Sequence, residues 1–212
     1  SFEENFLKIN SKNKIQIYDH TVGYKYFFFN FLKSIKRIFY LKSNIKNIFK
    51  KFLELIEYHK FINNKRIQHM QIKVSNKNLK KEENLKKIFS KIKDKKILLS
   101  IDIEGDEYKV LKNFNKYSKF IHLLIIEFHF LDKRKPAFKK IIMNLKQNFN
   151  IIHIHGNNYT SFCNDGMPIT LEMTLKNKKI YPIKKKNYIR KFPVKNLDYP
   201  NFKSQNDLKF HY

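Results

Sequence analysis

Lys96–Leu111, KILLSIDIEGDEYKVL, decides the reading of this chain: an apolar strand there runs into four carboxylates, Asp102, Glu104, Asp106 and Glu107, set around Gly105. Ile97–Ile101 is apolar apart from Ser100, which predicts a strand buried on both faces. Gly105 permits a sharp exit, and Asp106 and Glu107 then fall in the first turn of a following helix, where negative charge is favoured. The acids therefore collect at the carboxyl end of a parallel strand, the edge at which open α/β sheets bind ligands.

Working outward, Phe2–Ile9 predicts a helix, Lys14–Asp19 a strand, Ile67–Val74 another strand and Leu79–Ile92 an amphipathic helix. Strands follow at Ile97–Asp102, Ile121–His129, Asn150–His155 and Ile169–Leu175. A helix over Pro136–Phe149 carries Phe138, Ile141, Ile142 and Leu145 on one face, with Pro136 expected in its first turn. Alternating strands and helices imply an α/β fold with a mainly parallel sheet. The last two strands lack an intervening helix. Residues 24–61, long, aromatic and basic, divide into two helical stretches. They read as an enlarged pair of cover helices, with a lid or an amphipathic membrane- or partner-facing surface as alternatives. From about residue 177 to residue 212, proline and charge predict an irregular extension.

The segment IDIEGDEYKVL resembles the D-x-E-G-x-E stretch of FkbM-type methyltransferases. Ile17–Thr21 (IYDHT), Leu123–Asp132 (LLIIEFHFLD), Ile151–Tyr159 (IIHIHGNNY) and Pro168–Leu175 (PITLEMTL) follow in the matching order. The resemblance spans roughly Phe2 to Lys178. It implies a single S-adenosylmethionine (SAM)-dependent domain with a Rossmann-like sheet, helices on both faces and an antiparallel last strand. Such enzymes open with a strand and a G-x-G turn; here no glycine precedes Gly23, so the expectation is that Ser1 lies inside a longer protein and that this first strand and turn precede it.

The resemblance also assigns residues. Asp19, at the end of the second strand, is placed against the ribose hydroxyls, the alternative being a cap on the turn before Thr21. Ser75 and Asn76 fall where adenine is read, while Asp102 and Glu104 fall near the methionine end of SAM. Methyl transfer to a hydroxyl is an in-line displacement that needs alignment and a base, a metal, or both. Asp102, Glu127, His129 and His155 are the candidate catalytic groups, with Asn157, Asn158 and Glu172 at neighbouring strand ends. Glu127 and His129 share a strand face. Asp102, Glu127 and His129 also offer the mixed oxygen and nitrogen ligands of one divalent cation.

Composition restrains other readings. The chain of 212 residues has 45 Lys and Arg against 18 Asp and Glu, a net charge of +27. Yet the bases are 41 Lys and 4 Arg, Ala occurs once and Gly four times, a bias toward A- and T-rich codons that makes the charge mostly a solvated lysine coat. Specific nucleic-acid readers lean on Arg, so no specific nucleic-acid partner is expected, only weak association with anionic surfaces. One cysteine, Cys163, excludes an internal disulfide and, with no apolar run of ~18 residues, points to the cytoplasm. The function that the resemblance implies is O-methylation of a sugar or other small hydroxylated metabolite, as for a bacterial surface glycan or a secondary product. A non-catalytic Rossmann-like binding domain and a basic anion-binding protein are the competing classes.

Overall fold

The computed structural model describes residues 2–39, 44–93, 96–182 and 191–211. The chain divides into two compact units, 1–83 and 84–212.

In the first unit, α1 (Phe2–Ile9) leads into β1 (Ile15–Tyr18), and β1 pairs in parallel with β2 (Ile67–Met70). The crossover consists of two helices, α2 (Tyr24–Phe39) and α3 (Ile45–Ile62), as the sequence predicts. They pack through stacked Phe27 and Tyr58 (4.5 Å between ring centres) and through Phe31 against Phe52. The Tyr58 hydroxyl bonds His69 Nδ1 at 2.8 Å and fastens α3 to β2. Arg66 donates through Nη1 to the carbonyls of Leu7, Asn10 and Ser11, satisfying acceptors at the end of α1.

Two expectations for this region are corrected. The strand over Ile67–Val74 is broken after Met70, where the Ile72 amide folds back to the Met70 carbonyl, and resumes as β3 (Lys73–Val74). The helix over Leu79–Ile92 shrinks to α4 (Leu85–Lys91), which begins the second unit. Residues Glu82–Glu83 form β4, parallel to β3, and the Asn84 side chain caps the helix at the Lys87 amide.

The second unit is built on a four-stranded sheet in the order β5 (Ile97–Ile101), β6 (Ile121–Phe128), β8 (Leu171–Asn177), β7 (Phe149–Gly156). β5 and β6 are parallel; β8 enters between β6 and β7, antiparallel to both, as expected of the last strand. Between β5 and β6 the chain forms α5 (Glu107–Val110) and a 3₁₀ stretch (Leu111–Phe120). The helix placed at Pro136–Phe149 is α6, Leu131–Leu145. It starts directly after Phe130, whose backbone is left-handed (φ +58°), and Pro136 lies inside it rather than in its first turn. That leaves the Asp132 carbonyl without its usual amide donor.

Cross-strand partners share a face. Leu124 and Leu175, then Ile126, Met173 and Ile154, form one wholly buried face. Phe128, next on that face, meets Phe138 of α6 edge-on, and Phe149 meets Phe114 of the 3₁₀ stretch, with Ile141 and Leu145 of α6 buried as well. The opposite face carries Glu127, Glu172 and His155 in one row and Ile125, Thr174 and His153 in the next. Helices were expected on both faces; in this unit the second face receives the C-terminal segment instead. Of the extension expected to be irregular, 183–190 lies outside the described residues. The remainder forms β9 (Lys191–Phe192) paired with β10 (Phe210–His211), with Asn158 holding the loop between them.

Candidate active site

The carboxylate-rich turn after β5 and the end of β6 meet in the second unit. Glu104 (φ +54°) and Gly105 (φ +100°) turn the chain back, and a Cβ on Gly105 would stand 2.7 Å from the Phe130 ring. Glycine is required there on both counts. The turn places Glu107 wholly out of solvent, where Oε1 accepts from the amides of Ile103 (3.1 Å) and Gly105 (3.2 Å). The same oxygen meets His129 Nδ1 at 3.1 Å, while Oε2 is buried without a hydrogen-bond partner among the described residues. An ionised carboxylate can only accept, so Glu107 fixes the proton of His129 on Nδ1. The Tyr108 hydroxyl donates to the His129 carbonyl and holds its backbone.

His129 Nε2 is consequently presented to the other acids: Glu104 Oε2 at 3.5 Å, Asp102 Oδ1 at 3.8 Å and Glu127 Oε1 at 4.0 Å. The imidazole is 12% exposed and Asp102 54%, so the cluster opens to solvent on the Asp102 side. The bond to Glu107 raises the His129 pKa against the effect of burial. Burial raises Asp102, with His129 opposing and Glu104 and Glu107 adding to it. Burial likewise raises Glu127, whose Oε1 accepts from Asn157 Nδ2 at 2.7 Å.

Asp102, Glu127 and His129 are thus brought together. The donor trio lying within 4.8 Å of one another, however, is Asp102, Glu104 and His129. Glu104 takes the place expected of Glu127. His155 shares the Glu127 row but faces other partners: both Asp207 oxygens at 3.0 Å from Nε2, and Glu172 Oε2 at 3.5 Å from Nδ1. Burial opposes its charge, but the two carboxylates outweigh it and push the pKa up to about 9. Asn158 is buried and spent on the C-terminal loop.

The remaining assigned residues belong to the first unit. Asp19 Oδ1 accepts from the Thr21 amide (2.7 Å), the Thr21 hydroxyl (2.7 Å) and the Val22 amide (3.2 Å), the turn-capping geometry. Those bonds outweigh burial and lower its pKa. They leave Oδ2 for other duties. The Ser75 hydroxyl donates to Glu82 at 2.8 Å and accepts from the Lys77 amide, and Asn76 beside it is exposed. Sequence reasoning placed Glu107 in the carboxylate cluster but gave it no role in the site, and it left out Asp207. Glu107 ends the D-x-E-G-x-E stretch, and its position there was a usable signal; Asp207 lies 52 residues from His155 with no motif around it.

A family model described as the methyltransferase FkbM domain matches residues 28–157, a span that includes the turn after β5 and the end of β6. The chain belongs to the FkbM methyltransferase family. No curated protein matches it. The matched span of this family member holds Asp102, Glu104, Glu107, Glu127, His129 and His155, whereas Asp207 lies beyond it.

Proposed function

We propose that the protein is a SAM-dependent O-methyltransferase that acts on a sugar or another small hydroxylated metabolite, with His129 as general base. The observation that carries this reading is the Glu107–His129 pair. A wholly buried carboxylate holds Nδ1 and leaves Nε2 at an acid-lined, solvent-open edge, the arrangement a general base needs to take a proton from a hydroxyl. SAM, when bound, supplies the electrophilic methyl group. Its ammonium and sulfonium are both cationic, and the Asp102 and Glu104 carboxylates fit that chemistry. Asp19, through Oδ2, is the candidate for the ribose diol, with Ser75 and Asn76 toward the adenine. Glu127, fixed by Asn157, orients the acceptor hydroxyl toward His129, and His155 supports the same row through Glu172. Binding of nucleic acid is expected to be weak, indifferent to sequence and lost in moderate salt, because only phosphate neutralisation contributes.

A second reading uses the same residues. Asp102, Glu104 and His129 present two oxygens and a nitrogen within 4.8 Å, a set suited to Mn²⁺, Fe²⁺ or Zn²⁺, and a buried carboxylate behind a ligating histidine is the usual support for such a site. The test is transfer of labelled methyl from SAM to a panel of hydroxylated acceptors, before and after chelation, with metal content measured by mass spectrometry. Transfer that persists in metal-free protein and is abolished in His129→Gln supports the base. Loss on chelation, restored by one metal, supports the cation, and no transfer to any hydroxyl acceptor refutes the reading.

A further inference from the structure

Helices α2 and α3 pack on each other, with α3 fastened to β2, and they leave a second side in solvent. On α3 that side carries Ile45, Phe49, Phe52 and Leu53, the last three spaced four, seven and eight residues from Ile45, which is the pattern of one apolar stripe. On α2 the exposed rings include Tyr24, Phe28 and Phe29. Ile45 is 78% exposed, Phe29 63% and Phe49 60%. The two sets meet over the seam between the helices: Tyr24 stacks on Phe28 and meets His59 of α3 edge-on, and Phe52 meets Phe31 of α2.

Composition alone does not produce this surface. The same supply of Phe, Ile and Leu runs through α6, which buries Leu131, Phe138, Ile141, Ile142 and Leu145 and exposes only Met143 of its large apolar side chains. Large apolar groups left contiguous in water mark a contact surface.

Charge names the partner. α2 contributes Lys25, Lys33, Lys36 and Arg37 and no acid. α3 contributes Lys46, Lys50, Lys51 and Lys60 against Glu54 and Glu57, and Glu54 is taken up by Lys51 at 2.7 Å. Eight bases thus stand against two acids on the pair, where the whole chain has 45 against 18. The bases are interleaved with the apolar groups: Lys25, Phe29, Lys33 and Lys36 recur every three or four residues along α2, as do Lys46, Lys50 and Leu53 along α3. A nucleic acid can stack bases on the rings, but it leaves Ile45 and Leu53, which have none, in water. An anionic bilayer satisfies both sets at once, because apolar side chains enter the boundary between headgroups and acyl chains while lysines stay with the phosphates. No helix among the described residues is long and apolar enough to cross a membrane, so the pair would lie in the plane of the surface.

We propose that the outer side of α2 and α3 docks on an anionic phospholipid surface, with Phe29 and Phe49 as inserted anchors and the neighbouring lysines attracted to the headgroups. This is a built docking face, more than the weak attraction of a lysine coat, and it stands independently of the methyl-transfer reading.

The chain has no tryptophan, so Phe29→Trp and Phe49→Trp each carry a single reporter, with Met143→Trp on α6 as the reference. Each is titrated at physiological salt with vesicles of phosphatidylcholine alone and of phosphatidylcholine with about one part in three phosphatidylglycerol. Emission from the α2 and α3 reporters should move to the blue on the mixed vesicles and be quenched by brominated acyl chains, while that of Met143→Trp stays unchanged. Affinity for phosphatidylcholine alone should be at least about tenfold lower, and replacing Lys25, Lys33, Lys46 and Lys50 together by Gln should lower affinity for the mixed vesicles by a similar factor or more. Vesicle sedimentation of the chain carrying Phe29→Ser and Phe49→Ser should show a loss of at least about tenfold. An equal response at Met143→Trp would show adsorption through the general lysine coat and overturn the proposal, as would equal binding to both vesicles, undiminished binding of the double Ser variant, or no blue shift on either. A blue shift that grows with protein concentration before vesicles are added would assign the face to a second copy of the chain. Tighter binding to single-stranded or duplex DNA than to the mixed vesicles would assign it to nucleic acid, and either result would likewise overturn the proposal.

Discussion

Removing Glu107 separates its structural and chemical duties. In Glu107→Ala the Ile103 and Gly105 amides and His129 Nδ1 lose their shared acceptor at once. Each donor left unsatisfied in the interior costs ~1–3 kcal/mol, so the loss should be about 3 kcal/mol or more, a large part of the 5–15 kcal/mol that holds a typical domain. Glu107→Gln keeps an oxygen acceptor and removes the charge. It should cost much less, because the lost charge-assisted bonds are offset by relief from burying an anion whose Oε2 has no partner among the described residues. Its mark should fall on His129. The pKa of that imidazole is raised chiefly by the Glu107 bond, so it should drop in the Gln variant, and the acid limb of activity should move to lower pH while kcat falls. The stability linkage has a definite sign. A histidine whose folded pKa is raised contributes stability that is complete below its unfolded pKa of ~6.5 and is lost as pH rises through the folded value. The Gln variant should flatten that dependence. Urea denaturation across pH and NMR titration of His129 measure both effects. A loss under about 1 kcal/mol in Glu107→Ala, together with an unmoved His129 titration in Glu107→Gln, would refute the reasoning.

Three further outcomes follow from other contacts. Gly105→Ala combines φ +100° with a Cβ 2.7 Å from Phe130, and should destabilise the protein by about 1–3 kcal/mol in denaturant titration while displacing the His129 resonances. Asn158→Ala removes a side chain that accepts from the Phe202 amide (2.7 Å) and donates to the carbonyls of Phe202, Gln205 and Asn206. Limited proteolysis should then cut between Val194 and Lys209 faster by at least about tenfold. His155, with its pKa pushed up to about 9, should contribute stability that is full below pH ~6.5 and fades as pH rises through about 9, a dependence absent from His155→Gln in thermal melts.

What was legible in the sequence was what local pattern controls. The alternation in Leu171–Asn177 and the apolar runs of β5 and β6 declare strands, and the spacing of Phe138, Ile141, Ile142 and Leu145 declares the face of α6. Boundaries set by single interactions were not legible. The left-handed turn at Phe130 starts α6 five residues ahead of Pro136, and the Asn84 cap shortens α4. Asp102, Glu127 and His129 could be assembled because strand alternation and β-sheet ends are periodic. Asp198 and Asp207 could not, since their histidines lie 45 and 52 residues away across irregular chain, a distance no local signal spans. His155 shows the same limit: its place in the row followed from its strand, but its engagement with Asp207 did not.

The central claim is that the acids after β5 receive SAM, and calorimetric titration of SAM into the protein tests it most directly. Saturable one-to-one binding, competed by S-adenosylhomocysteine and weakened about tenfold or more by Asp102→Asn as one charge-assisted contact is lost, is the predicted result. No saturable binding, or equal affinity in Asp102→Asn, would contradict it.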